Sequence, residues 1–254
     1  LHGEVVVNVN GLLGNSFGSV SPESVTDLVI HGSDGNDTID LQLVSQDDFS
    51  NLGSVVVSAG DGNDLVVGSR LADVLQGGDG SDTVFGGLGD DLLTGGDGPD
   101  VLDGYSGSDT IFGEAGNDTL EGGAQPDLLQ GGDGNDQVYG QGSSSDSVGG
   151  GAGDDTIDGG VGNDLLQDGG DADITITNDA MTGGLGNDVL IGVERALITG
   201  GPSANRIDLS GFLVPGFTTS TVFAGDGDDT IIGSEANEVF RGDQGDDLII
   251  GNAG

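Results

Sequence analysis

Cysteine, tryptophan and lysine are all absent from this 254-residue chain, whose only basic residues are Arg70, Arg195, Arg206 and Arg241. Without Cys there is no disulfide, no thiol nucleophile and no soft-metal site. Without Lys there is no Lys–Asn isopeptide cross-link to staple the fold. Only His2 and His31 are available as imidazoles, too few for a zinc or copper centre. Against 4 basic residues stand 45 acidic ones, a formal charge of −41 that repels phosphate backbones and excludes nucleic acid as a partner. No apolar run approaches the ~20 residues of a membrane-spanning helix, and the N-terminus lacks a basic segment followed by an apolar one.

What the chain has instead is glycine and aspartate. Gly accounts for 54 residues, and only seven of the 45 acids are Glu. Acidic disordered chains usually favour Glu, whereas a Gly–Asp bias suggests turns that ligate. The uncompensated charge opposes compaction, so the ion-free chain is expected to be disordered or expanded.

Residues 59–139 divide without remainder into nine nine-residue units: AGDGNDLVV, GSRLADVLQ, GGDGSDTVF, GGLGDDLLT, GGDGPDVLD, GYSGSDTIF, GEAGNDTLE, GGAQPDLLQ and GGDGNDQVY. The sixth position is Asp in every unit: Asp64, Asp73, Asp82, Asp91, Asp100, Asp109, Asp118, Asp127 and Asp136. Glycines at positions 1, 2 and 4 permit positive φ and close approach of carbonyls, so positions 1–6 read as turn. Positions 7–9 are too few for a helix and carry Val, Leu, Ile, Thr and Phe, which suits a short strand with position 8 facing inward. One inward residue contributes roughly 1.5–3 kcal/mol. Ordering six turn residues costs on the order of 6–12 kcal/mol. The apolar interior alone is insufficient, and a cation held by Asp carboxylates and turn carbonyls is the expected remedy. Oxygen donors in such number select Ca²⁺.

The pattern G-G-x-G-x-D-x-U-x, with U a large apolar residue, resembles the RTX (haemolysin-type) calcium-binding nonapeptide family. The resemblance implies an all-β fold, a right-handed parallel β-roll or β-helix in which two units make one coil and each ion sits between turns eighteen residues apart. It implies up to seven Ca²⁺ sites in 59–139. Four are expected among the turns beginning at 59, 77, 95, 113 and 131, and one between those at 86 and 104. Two more are doubtful, because Arg70 and Ala72 interrupt the unit at 68, and Gln125 and Pro126 that at 122. The implied ligands are the nine aspartates together with Asp37, Asp155, Asp164, Asp188, Asp229 and Asp247. Backbone carbonyls join them from Gly60, Asp61, Gly62, Gly78, Asp79, Gly80, Gly96, Asp97, Gly98, Gly132, Asp133 and Gly134.

Outside the array, residues 1–58 hold two strand-like runs, Glu4 to Val9 and Val25 to His31, expected to form a first coil or cap, then an isolated unit at Gly32–Asp40 and an eighteen-residue connector. The main array extends to 167, although Gly140–Gly149 has ten residues and displaces Asp146 from register. Residues 168–223 are irregular apart from one unit with Asp188, and 224–254 begin a second array with Asp229, Glu238 and Asp247. A longer repeat overlies the nonads. Ile30–Leu41 (IHGSDGNDTIDL) parallels Ile198–Leu209 (ITGGPSANRIDL), and the unit at 68 parallels that at 233, at offsets of 168 and 165 residues. The chain is therefore expected to be a piece of a longer repetitive protein.

Other motifs are weak. Gly14-Asn15-Ser16-Phe17-Gly18 matches a nucleophile elbow, but no helix pattern follows. Asp at position 3 reads as a solvated edge, and Phe85, Phe112 and Tyr139 as scattered surface aromatics. Ice binding is not expected, since the Thr that some ice-binding rolls carry in the turn is here Asp, Leu, Ser or Ala. No catalytic constellation is present, so an enzyme is not expected. Two functions follow from the resemblance. One is a calcium-stabilised structural or adhesive segment of a large secreted or cell-surface bacterial repetitive protein (surface layer, matrix fibre or adhesin stalk), in which further copies of the chain are candidate partners. The other is a calcium-dependent folding and secretion domain of an RTX enzyme or toxin. The recurring superunit favours the first.

Overall fold

In register along the array, the same nine-residue pattern meets itself every second unit. The computed structural model describes residues 4–8, 25–45, 50–170, 172–183, 185–212 and 219–252. The Gly14–Gly18 motif and His2 lie outside these. Every element among the described residues is a strand, and the chain is an all-β parallel β-roll built from two facing sheets. It divides into two compact units, Leu1–Leu129 and Gln130–Gly254.

In the first unit one sheet runs Glu4–Asn8, Asp27–His31, Ser54–Asp61, Asp73–Asp79, Leu92–Asp97 and Thr110–Ala115, each parallel to the next. The other runs Thr38–Asp40, Leu65–Val67, Thr83–Leu88, Val101–Ser106 and Thr119–Glu121. Val57, Leu75, Leu93 and Ile111 are successive register partners in the first sheet, and Val66, Val84, Leu102 and Leu120 in the second; all are 0% exposed. One apolar residue per strand thus makes two continuous interior columns. The strands are longer than positions 7–9: Leu92–Asp97 and its neighbours continue through positions 1–3, where Gly78 pairs Gly96 and Asp79 pairs Asp97. An identical backbone one coil away satisfies those peptide groups, so they join the ladder rather than the turn.

The second unit has the same plan, with Val148 beside Leu166 and Val138 beside Ile157. Its irregular part departs from it. Ala180–Gly183 runs antiparallel to both Ile174–Thr177 and Gly186–Ile191, a reversed strand inside an otherwise parallel sheet. Here the nonad pattern lapses, and Ile174, Ile176, Met181 and Leu190 fill the interior instead. Beyond it the longer repeat has a structural counterpart. Gly32 N–H donates to Ser58 O and Leu65 N–H to Asp37 O in the first unit, as Gly200 donates to Phe223 O and Thr230 to Asn205 O in the second. The connector is three residues shorter in the second case, and the bonds are kept.

Candidate metal centres

Each turn is closed by its position-6 aspartate. Strand alternation turns Asp, the apolar residue two further on and the next unit's first glycine inward together, and the aspartates are accordingly at most 5% exposed from Asp37 to Asp229. They form rows. The backbone N–H of Asp64 donates to Asp82 Oδ1 at 2.7 Å, Asp82 to Asp100 at 2.7 Å and Asp100 to Asp118 at 2.9 Å. Asp37 heads this row through Asp64 Oδ1 at 2.7 Å. A second row runs Asp73, Asp91, Asp109, Asp127, each step 2.8 Å. In the second unit Asp136, Asp155 and Asp188 form one row, and Asn205, Asp229 and Asp247 another.

Oδ2 of Asp64, Asp82, Asp91, Asp100, Asp109, Asp155, Asp164, Asp188 and Asp229 is buried with no hydrogen-bond partner. Leaving buried charged oxygens so is costly. Burial accordingly raises their pKa: Asp91, Asp100 and Asp188 are pushed up to about 7, and Asp109, Asp155 and Asp164 to about 6, with neighbouring aspartates adding to the rise. Asp64, Asp82 and Asp118 are also raised by burial.

Carbonyl oxygens are packed beside these carboxylates: a Cβ at Gly77 would meet both Asp82 Oδ2 and Gly95 O, and one at Gly95 both Asp100 Oδ2 and Gly113 O. A Cβ at Gly78 would lie 2.0 Å from Gly60 O, one at Gly80 1.6 Å from Gly62 O, one at Gly96 2.1 Å from Gly78 O and one at Gly98 1.9 Å from Gly80 O. In the second unit Gly151 stands in this relation to Gly132 O and Gly153 to Gly134 O. Glycine is required because the carbonyl of one turn occupies the space a side chain would take on the next. The position-3 carbonyls are partly spent: Asp61, Asp79 and Asp97 accept backbone N–H groups from Gly35, Gly62 and Gly80. A carbonyl retains a second lone pair. The side chains of Asp61, Asp79, Asp97 and Asp133 are exposed, as a solvated edge should be.

Among the described residues no three His, Cys, Asp or Glu side chains converge on one point. Any cation here must therefore be held largely by backbone carbonyls, with one or two carboxylates neutralising it. That is a hard-oxygen donor set, and it fits Ca²⁺.

The interrupted turns are less damaged than their sequences imply. Gln125 adopts the positive φ of the glycine it replaces (78°), and Asp127 still accepts from Asp109. Asp146 is not displaced: it is 1% exposed and its N–H reaches Asp164 Oδ1 at 2.8 Å, the extra residue being absorbed in the turn, where Gln141 takes φ 63°. Asp146 is thus a row member that the register count misses; the D-S-V following a run of serines is its signal. Glu194 is another, accepting the Asp164 N–H at 2.8 Å while Arg195 donates to Asn163 O. No nonad pattern marks it. Asp247 is half-buried, and Phe85 meets Tyr105 edge-on at 5.9 Å.

The RTX calcium-binding nonapeptide repeat (4 copies) matches this chain at residues 29–42, 58–93, 85–120, 94–129, 112–144, 149–177, 173–192, 220–249 and 232–254. Among solved structures, the X-ray crystal structure of a hyperactive, Ca²⁺-dependent, β-helical antifreeze protein from an Antarctic bacterium is similar over 96% of this chain and 83% of that one, at 18% identity and a TM-score of 0.31. No curated protein matches.

Proposed function

The chain belongs to the RTX calcium-binding nonapeptide repeat family, and on that footing we propose that it is a calcium-stabilised structural segment of a secreted or cell-surface bacterial protein. The observation that carries the reading is the pairing of orphaned, buried Oδ2 atoms with stacked turn carbonyls. Bound in these turns, Ca²⁺ supplies the positive charge that −41 net charges otherwise lack. Asp64, Asp82 and Asp100 in one row and Asp91 and Asp109 in the other present the carboxylates, and Gly60, Gly62, Gly78 and Gly80 the carbonyls. Asp155, Asp164, Asp188 and Asp229 do the same in the second unit. Folding is coupled to ion binding, at affinities of about 10⁻⁴–10⁻³ M typical of extracellular modules. The chain stays unfolded where calcium is scarce and folds outside the cell.

The structural role, rather than that of an accessory to an enzyme or toxin, is supported by the recurrence of one superunit with the hydrogen bonds flanking its connector kept. Among the described residues no helix is long and apolar enough to cross a membrane. The test is a calcium titration of the metal-stripped chain, followed by circular dichroism and sedimentation. Millimolar Ca²⁺ but not Mg²⁺ should produce the β spectrum and then association of copies. A full β spectrum in chelator refutes calcium-coupled folding, and a calcium-loaded chain that stays monomeric at high concentration refutes the self-associating structural role.

A further inference from the structure

The turns are of two kinds, and the sign of φ at position 2 separates them. In most turns that residue has positive φ, whether it is glycine (Gly78, 122°; Gly96, 117°) or not (Tyr105, 66°; Glu114, 75°). Non-glycine residues rarely adopt this conformation. In four turns position 2 is Ser33, Ser69, Gly201 or Ser234, none of them at positive φ. In these four, and in no other turn whose bonds are described, the N–H of position 2 donates to the side chain at position 6. The bonds are Ser33 to Asp37 at 2.9 Å, Ser69 to Asp73 at 2.5 Å, Gly201 to Asn205 at 3.0 Å and Ser234 to Glu238 at 2.9 Å. Ser69 and Ser234 add their hydroxyls to the same carboxylates. Each hydroxyl also accepts the N–H two residues on, at 3.0 Å.

Two further facts bear on these turns. Asp37, Asp73 and Asn205 each head a row: each donates its N–H forward to the next aspartate. One of the four closing residues is also neutral, since Asn205 accepts with Oδ1 in the place of a carboxylate.

We propose that these four turns are cation-free caps, three of which begin a calcium row, and that they bind no ion through their own position-6 side chains. A side-chain oxygen already held by the turn's own N–H is no longer an orphan seeking a cation, and a neutral amide serves equally well there. The negative φ at position 2 is what turns that N–H inward, and Ser69 and Ser234 stabilise the arrangement through their hydroxyls. Each superunit carries the same two caps, at Ser33 and Ser69 and again at Gly201 and Ser234, so every array starts on turns whose closure needs no ion. Asp37 and Asp73 accordingly leave the set of calcium ligands. This inference rests on the calcium reading of the other turns.

The experiment counts ions. Asp73→Asn, Asp37→Asn and Asp82→Asn proteins are dialysed against millimolar Ca²⁺, and bound calcium is measured by atomic absorption, with circular dichroism as the check of folding. The first two should bind as many ions as the unaltered chain, and Asp82→Asn at least one fewer. If Asp73→Asn or Asp37→Asn loses ions as Asp82→Asn does, the caps are calcium sites and the inference is overturned. If Asp82→Asn loses none, the calcium reading itself falls, and the distinction with it. Asn205→Asp provides a check that keeps a natural side-chain shape. It should gain no ion, and a gained ion overturns the proposal even where a neutral variant fails to fold.

Discussion

The N–H of Asp64 donates to Oδ1 of Asp82, eighteen residues later, at 2.7 Å. This single contact sets the coil length and divides the work of the carboxylate. Oδ1 fastens one coil to the preceding one, and Oδ2 is left beside the turn carbonyls with no partner.

Removing such a carboxylate should cost more than removing an exposed one. Asp100→Ala leaves the buried Asp82 N–H unpaired, a loss of about 1–3 kcal/mol before any loss of calcium. Asp79→Asn, on the exposed edge, should stay within about 0.5 kcal/mol. Thermal unfolding at one fixed calcium concentration compares them, and equal costs would contradict the division of labour.

The metal-free roll should prefer acid. Burial raises Asp91, Asp100 and Asp188 from 3.8 to about 7, and Asp109, Asp155 and Asp164 to about 6. A raised carboxyl stabilises the folded chain when protonated. Its contribution is fully present below pH 4 and is lost as pH rises through 6 to 7. Metal-stripped protein should therefore gain β signal by circular dichroism between pH 8 and pH 4. Calcium competes with the same protons on the folded chain, so the folded protein's affinity for calcium should fall over that interval, while the calcium needed for half-folding should not rise. A β signal that falls on acidification contradicts the burial of these groups.

Leu102→Ala should destabilise the calcium-loaded protein by about 2–5 kcal/mol. Leu102 is 0% exposed and stacked between Val84 and Leu120, leaving little room for the coils to close over a cavity. Calcium-saturated thermal melts measure it.

Glycine substitutions should sort by what the added carbon meets. Gly80→Ala places a Cβ 1.6 Å from Gly62 O at φ 141°, and should abolish binding at that turn. Gly35→Ala, at φ 103° with nothing within 4 Å, carries only backbone strain, about 1–2 kcal/mol. Calcium titrations of the two variants should separate clearly.

The sequence by itself determined the coil, the two interior columns and the aspartate rows. A nine-residue pattern with an apolar residue two after Asp admits one inward alternation, and two such units per coil align each Asp with its copy eighteen residues away. Where the pattern is exact, as from Gly77 to Asp100, local spacing and tertiary register are the same information. Tertiary structure decided the rest. Asp146 rejoins its row because a turn open to solvent can absorb one extra residue while the strands on either side are held by their neighbours. Glu194 closes the row of Asp164 from just before the strand Arg195–Thr199, where no nonad lies, and Ala180–Gly183 reverses direction because pairing partners, not local propensity, fill a sheet. The two kinds of turn were hidden for the same reason. Asp37, Asp73 and Asp82 occupy the same position in similar letters, and only the backbone angle at Ser33, Ser69 or Gly78 decides whether the carboxylate meets an N–H of its own turn or is left to a cation.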